Sequence, residues 1–197
     1  TDTDAEGCSA YNKSKTYAEK AAWDFINSDE CNMELSVINP SLVLGPVLES
    51  DFGTSVELVK RFLNGGFPLA PNISFGIVDV RDVAQLHLLA LESPQASGNR
   101  FIASSETLAI PLISEFLRKK IPEYQKRLPK GTAPDFLIKL LGFFSPLMKT
   151  VANQLGKTKE LDNSKAKNIL GWQPRSGEEA VIASAKSLIE FDIVKSP

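Results

Sequence analysis

The chain has 197 residues, 43% of them hydrophobic and 23% charged, with a formal net charge of −2. These proportions exclude a disordered or fibrous protein and allow one domain of ordinary size, or part of a larger one. Lysine and arginine are scattered rather than massed, so the basic stripe that replaces phosphate counterions is missing and no nucleic-acid partner is expected.

Thr1 to Ala10 reads as a loop, with Ser9 placed to cap a helix. From Tyr11 to Asn27, Ala18, Ala21, Ala22, Phe25 and Ile26 recur at helical spacing. Leu35 to Leu44 is rich in Val, Ile and Leu and closes at Gly45-Pro46, which predicts a strand buried on both faces of a parallel sheet. A short helix over Val56 to Leu63 should end at Gly65-Gly66. Phe75 to Val80 reads as a strand, and Asp82 as the cap of a helix running to Leu91. Arg100 to Ala103 is a further short strand. Helices are then predicted over Leu112 to Lys120, Asp135 to Gln154 with a break near Pro146, Asn163 to Leu170 and Glu178 to Phe191.

This order predicts an α/β fold: the carboxy-terminal part of a Rossmann-like parallel sheet, plus a smaller, mostly helical substrate lobe. Residues 1–50 would end the dinucleotide-binding domain. Residues 51–197 would form mainly the lobe, with 75–104 returning to the cofactor domain. No Gly-x-x-Gly-x-x-Gly follows a strand, so the phosphate cradle of a dinucleotide site is not in this sequence. The most apolar stretch, Phe136 to Leu155, is interrupted by Lys139, Pro146 and Lys149, which predicts core helices of a soluble lobe and no membrane contact. Cys8 and Cys31 lack metal-ligand spacing and suit two free thiols in a reducing compartment.

Tyr11 and Lys15 lie four residues apart, on one helix face. An isolated tyrosine is a poor proton donor at neutral pH, and an ammonium one turn away favours phenolate. Such a pair suits general acid–base work at a carbonyl or alcohol, although the spacing alone also fits an ordinary exposed helix pair. His87, Asp79, Arg81 and Asp82 fit structural roles, as does the acidic pair Glu178-Glu179 in a first helical turn. Trp172 and Pro174 should pack the terminal segment. Phe62, Phe67, Phe136, Phe143 and Phe144 read as ordinary core, with a substrate-pocket lining as the alternative.

Four blocks carry a resemblance that the pair alone does not. They are Tyr11-Asn12-Lys13-Ser14-Lys15, Asn39-Pro40-Ser41-Leu42-Val43-Leu44-Gly45-Pro46, Val78-Asp79-Val80-Arg81-Asp82-Val83-Ala84, and Leu170-Gly171-Trp172-Gln173-Pro174. In this order and spacing the chain resembles the carboxy-terminal portion of extended short-chain dehydrogenase/reductases. The dihydroflavonol reductase-like branch of the epimerase/dehydratase superfamily is the nearest group. The resemblance implies an NADP-dependent oxidoreductase, with NAD as the alternative cofactor, acting on a small carbonyl substrate in the cytoplasm. It implies Tyr11 as proton donor and Lys15 as its partner and a ribose ligand. It also implies cofactor contacts from Pro40, Leu42 and Val43, with Ser55 a further candidate. The family's catalytic Ser or Thr, on a strand before the Tyr, has no counterpart, since Ser9 lies too close to Tyr11. The chain is therefore expected to be a portion that is inactive alone, with a free sheet edge that favours association, such as a homodimer. Alternatives are a nucleotide-sugar epimerase or dehydratase, which would want Arg or Lys clamps for its diphosphate, and a non-catalytic NAD(P)-binding regulatory relative.

Overall fold

The computed structural model describes residue 3, residues 8–28 and residues 31–197. Helix α1 (Ala10–Ile26) is capped by Ser9, whose hydroxyl accepts from the Asn12 N–H at 3.1 Å. Strand β1 (Val37–Pro40) follows, then β2 (Leu42–Leu44), helix α2 (Glu57–Leu63), β3 (Ser74–Asp79) and α3 (Val80–Glu92). Strands β4 (Arg100–Ala103) and β5 (Glu106–Ala109) lead into α4 (Ile110–Lys120). Helices α5 (Asp135–Leu141), α6 (Pro146–Ala152), α7 (Ser164–Leu170) and α8 (Gly177–Glu190) complete the chain.

The strand expected over Leu35–Leu44 is two strands. β1 pairs in parallel with β4, whereas β2 pairs in parallel with β3, which in turn pairs antiparallel with β5. The switch falls at Ser41, after a proline that has no N–H to give to a ladder. The Ser41 N–H donates to the Ala103 carbonyl at 3.0 Å, so the first ladder runs out there and Leu42 opens the second. β4 hands over to β5 in the same way, with the Ser105 N–H donating to the Ile77 carbonyl at 2.7 Å. β5 was not expected from the sequence. β1 is half-buried rather than sealed on both faces, and Pro40 is exposed.

Two apolar cores result. The larger lies among β2, β3, β5, α2, α4 and α8, and holds Phe62, Ile77, Ile113, Leu117 and Leu188. The smaller lies among β3, β4, α3 and α7 and is built on Phe101, Leu86 and Trp172. Alternation along β2 serves both: Leu42 and Leu44 face the larger core and Val43 the smaller. α7 ends at Gly171, whose φ of +64° favours glycine, and α8 begins on a capping box between Ser176 and Glu179. The acidic pair Glu178-Glu179 stands in that first turn, as its dipole favours.

Asp82 does not cap α3. Asp79 does, its carboxylate accepting from the Arg81 N–H at 2.9 Å. Helix begins at Val80, directly after the strand, so Asp82 falls within the first turn rather than at the cap. The predicted break near Pro146 is present, as four non-helical residues between α5 and α6.

Candidate functional site

Tyr11 stands in the first turn of α1 and is 69% exposed. The Lys15 Nζ lies 5.7 Å from the centroid of its ring, so the two side chains share one helix face. Four residues further along the same stripe, Glu19 forms an ion pair with Arg100 at the start of β4. The Trp23 Nε1–H donates to the same carboxylate at 3.1 Å. The Arg100 guanidinium holds the Glu19 carboxyl below the usual glutamate range, against the opposing effect of burial. Glu19 thus keeps the Tyr11–Lys15 face of α1 turned toward the β1–β4 pair.

α1 leads by chain order into the start of β1. Tyr11 lies about 12 Å up the helix axis from Glu19, away from that entry. This end of the helix therefore lies toward the carboxyl ends of the parallel strands, where open α/β sheets bind ligands.

Pro40, Leu42, Val43 and Ser55 do not form one surface. Pro40 is exposed at the end of β1, and the Leu42 side chain is turned into the larger core. Val43 and Ser55 share a cleft of about 370 Å³ beyond the end of β2, lined also by Gly45, Phe52, Val56 and Val80.

Residues far along the chain hold the floor of this cleft. The buried Ser184 hydroxyl of α8 accepts from the Gly45 N–H at 2.7 Å and donates to the Gly45 carbonyl at 2.8 Å. The Ser187 hydroxyl accepts from the Val47 N–H at 2.9 Å. Gly45 has φ of +115°, and a side chain there would meet the Asp79 carboxylate at 2.9 Å. Asp79 in turn binds Arg81 through both oxygens, at 2.9 and 2.7 Å, and so keeps the guanidinium charge fixed. That is the strand-end pair expected from the sequence.

Asp82 is buried and pairs with Arg175, whose backbone N–H it also accepts at 2.7 Å, while the Trp172 Nε1–H donates to the Asp82 carbonyl at 2.9 Å. His87 is exposed and bonds the Val83 carbonyl at 2.8 Å within its own helix. Phe62 is core and Phe67 packs against it, with ring centroids 5.1 Å apart. Phe136, Phe143 and Phe144 are instead 72%, 83% and 82% exposed, which overturns their assignment to core. Among the described residues no cluster of His, Cys, Asp or Glu could hold a metal ion, and no helix is long and apolar enough to cross a membrane. Cys8 and Cys31 are free.

The Glu19 and Ser184 contacts were not anticipated. Glu19 carries a signal, since it continues the Tyr11–Lys15 spacing by one more turn. The pairing of Ser184 with Gly45 spans 139 residues and has none.

No family model matches the chain. It is 31% identical over 191 residues to an NADPH-dependent methylglyoxal reductase of Saccharomyces cerevisiae, covering 93% of this chain and 52% of the relative. It is 35% identical over 191 residues to a ketoreductase of Aspergillus niger, covering 91% and 51%. Among solved structures, the yeast methylglyoxal/isovaleraldehyde reductase complexed with NADPH superposes with a TM-score of 0.72 at 29% identity, over 93% of this chain and 52% of that one. A nucleoside-diphosphate-sugar epimerase from Pseudomonas aeruginosa shares the fold, with a TM-score of 0.75 at 17% identity over 99% and 60%. The chain spans about half the length of the curated relatives it matches.

Proposed function

We propose, from the premise that this chain belongs to the extended short-chain dehydrogenase/reductase family, that it is the catalytic and substrate-side half of an NADPH-dependent reductase. The reaction is reduction of a ketone or aldehyde to an alcohol. The observation that carries the reading is the stripe Tyr11–Lys15–Glu19, with its pair of proton-handling side chains side by side and its third member tied to the sheet. The Tyr11 hydroxyl gives its proton to the carbonyl oxygen as the carbon is reduced. The Lys15 ammonium supports the charge left on the Tyr11 oxygen and would hold the nicotinamide ribose.

The residues present fit the nicotinamide end of NADPH, with NAD the alternative. Val43 and Ser55 line a cleft of suitable size, while Pro40 stands exposed at the end of β1 outside it and Leu42 would contribute backbone rather than side chain. NADPH, when bound, supplies the hydride. Its phosphates need a glycine-rich loop that this sequence does not carry. The chain alone is therefore inactive, and activity belongs to a protein in which a nucleotide-binding half accompanies it. Residues 1–50 and 75–104 would side with that half and the remainder with the substrate. The chain's relatives, a methylglyoxal reductase and a ketoreductase, point to small carbonyl compounds as substrates. The free thiols Cys8 and Cys31 suit a reducing, cytoplasmic setting, and a homodimer is the expected assembly.

Titration with NADPH, followed by nicotinamide fluorescence, tests this division. The 197-residue chain should show no saturable binding at micromolar cofactor, and the protein carrying both halves should bind and reduce a carbonyl. Lys15→Ala in the two-half protein should weaken NADPH binding and slow turnover together. Tight binding by the chain alone, or an unchanged Lys15→Ala enzyme, contradicts the proposal.

A further inference from the structure

Helices α5 and α6 form a hairpin whose turn, residues 142–145, presents Phe143 and Phe144 to solvent. These rings are 83% and 82% exposed. Phe136, at 72%, and Leu140, at 52%, extend the apolar surface down α5. Free-standing apolar patches of this kind mark an interaction surface, because leaving several large side chains in water is costly. The hairpin is not a frayed end. Ile138 is buried, and Val151 and Leu155 pack on the larger core.

The charge around the patch identifies the occupant. Between residues 136 and 159 the chain has four lysines, Lys139, Lys149, Lys157 and Lys159, and no Asp or Glu. The segment thus holds four of the chain's 22 basic residues and none of its 24 acidic ones, which leaves the rest of the chain at net −6. All four lysines are exposed. Two of them bracket the tip. A methyl group on Gly142 would meet the Lys139 carbonyl oxygen at 3.1 Å and the Lys149 Cα at 3.3 Å. This glycine therefore lets the helices close up, with Lys139 on one and Lys149 on the other.

We propose that the α5–α6 hairpin docks on the surface of an anionic lipid bilayer. Phe143 and Phe144 enter the headgroup boundary, and the lysines meet the lipid headgroups. Aromatic rings prefer that boundary, and basic residues beside it add electrostatic attraction. A protein partner with an acidic rim is the competing occupant. The geometry favours the bilayer because the apolar surface is an exposed turn with a lysine on each adjoining helix, rather than a groove shaped for a chain. The hairpin does not span the bilayer. The proposal runs against the sequence-based expectation of no membrane contact, and it stands independently of the reductase reading.

Co-sedimentation of the 197-residue chain with vesicles tests the proposal. Phosphatidylcholine vesicles containing about 30% phosphatidylserine should bind it at about 0.1 M salt and release it at about 1 M, where screening is short-ranged. Pure phosphatidylcholine should bind it far less. The double variant Phe143→Ser/Phe144→Ser should lower the bound-to-free ratio by about 100-fold or more, since two ring burials are lost. Lys139→Gln/Lys149→Gln should lower it about five-fold per lysine and leave the rings intact. Both variants change exposed side chains and should retain the parent's thermal unfolding profile. Absence of vesicle binding by the parent chain, or equal binding to both vesicle types, overturns the proposal. So does a failure of the phenylalanine variant to release the vesicles. A parent that ignores vesicles but self-associates through Phe143 and Phe144 in sedimentation equilibrium overturns it in favour of a protein interface.

Discussion

Helix α1 and the segment from α7 to α8 meet the sheets in opposite ways. No residue of α1 is buried, and it is held through Glu19 at its middle. The segment from Ala166 to Leu188 buries Trp172, Leu170, Val181 and Leu188, and adds polar ties to Asp82, Glu106, Gly45 and Val47. The proposed chemistry sits on the lightly held helix, and the stability sits in the other. A weakly anchored helix suits a site that is completed by a further surface, whereas a clamp that spans the chain suits a scaffold. Substitutions in the two regions should therefore separate: large losses of stability in one, losses of turnover with small losses of stability in the other.

The largest expected loss of stability is at Trp172. Trp172→Ala empties the centre of the smaller core and removes the bond to the Asp82 carbonyl. Urea denaturation should show a loss of about 3–5 kcal/mol. A loss below about 1 kcal/mol would mean that the segment is not the scaffold. Next comes Ser184→Ala, which leaves both the N–H and the carbonyl of Gly45 without their partner in a buried setting. The cost should be about 1–3 kcal/mol in the same experiment.

The smallest effect belongs to α1. Glu19→Gln should cost less than about 1 kcal/mol, because Arg100 is more than half exposed and screened. Its pH dependence has a defined sign. The Glu19 carboxyl titrates below its ordinary value of 4.5 in the folded chain, chiefly through Arg100. Its contribution is complete above that value and is lost as pH falls through the lower, folded value. The protection factors of the α1 amides, taken relative to intrinsic exchange at each pH, should accordingly fall in the acid range below 4.5 in the parent and stay level there in Glu19→Gln. A fall of equal size in both would remove Glu19 as the tether.

The same contrast explains what was legible in the sequence. Elements with local punctuation could be read: the Ser9 cap and the break near Pro146 both act within a few residues. Leu35–Leu44 was misread because a single apolar run served two ladders, and the handover at Ser41 depends on Ala103, 62 residues away. Asp82 looked like a cap because it is an acidic residue near a strand end. Asp79 took that place by ending the strand three residues earlier. The exposed Phe143 and Phe144 could not be told from core by hydropathy alone, since apolar character does not record which face meets water. The Tyr11–Lys15 spacing was legible as a pair. Val43 and Ser55 were nameable only through the family resemblance, because their shared cleft is made by the folding of the loop between them, which has no local sequence signal.

The central claim is that Tyr11 is the proton donor of a reductase, and one substitution tests it most directly. Tyr11→Phe in the two-half protein removes the hydroxyl and keeps the ring, which is 69% exposed and makes no core contact. Turnover with NADPH and a carbonyl substrate should fall about 10²–10⁴-fold, while NADPH affinity and unfolding free energy stay close to the parent values. A Tyr11→Phe enzyme with near-parental turnover would contradict the account and leave Tyr11 and Lys15 an ordinary pair on an exposed helix.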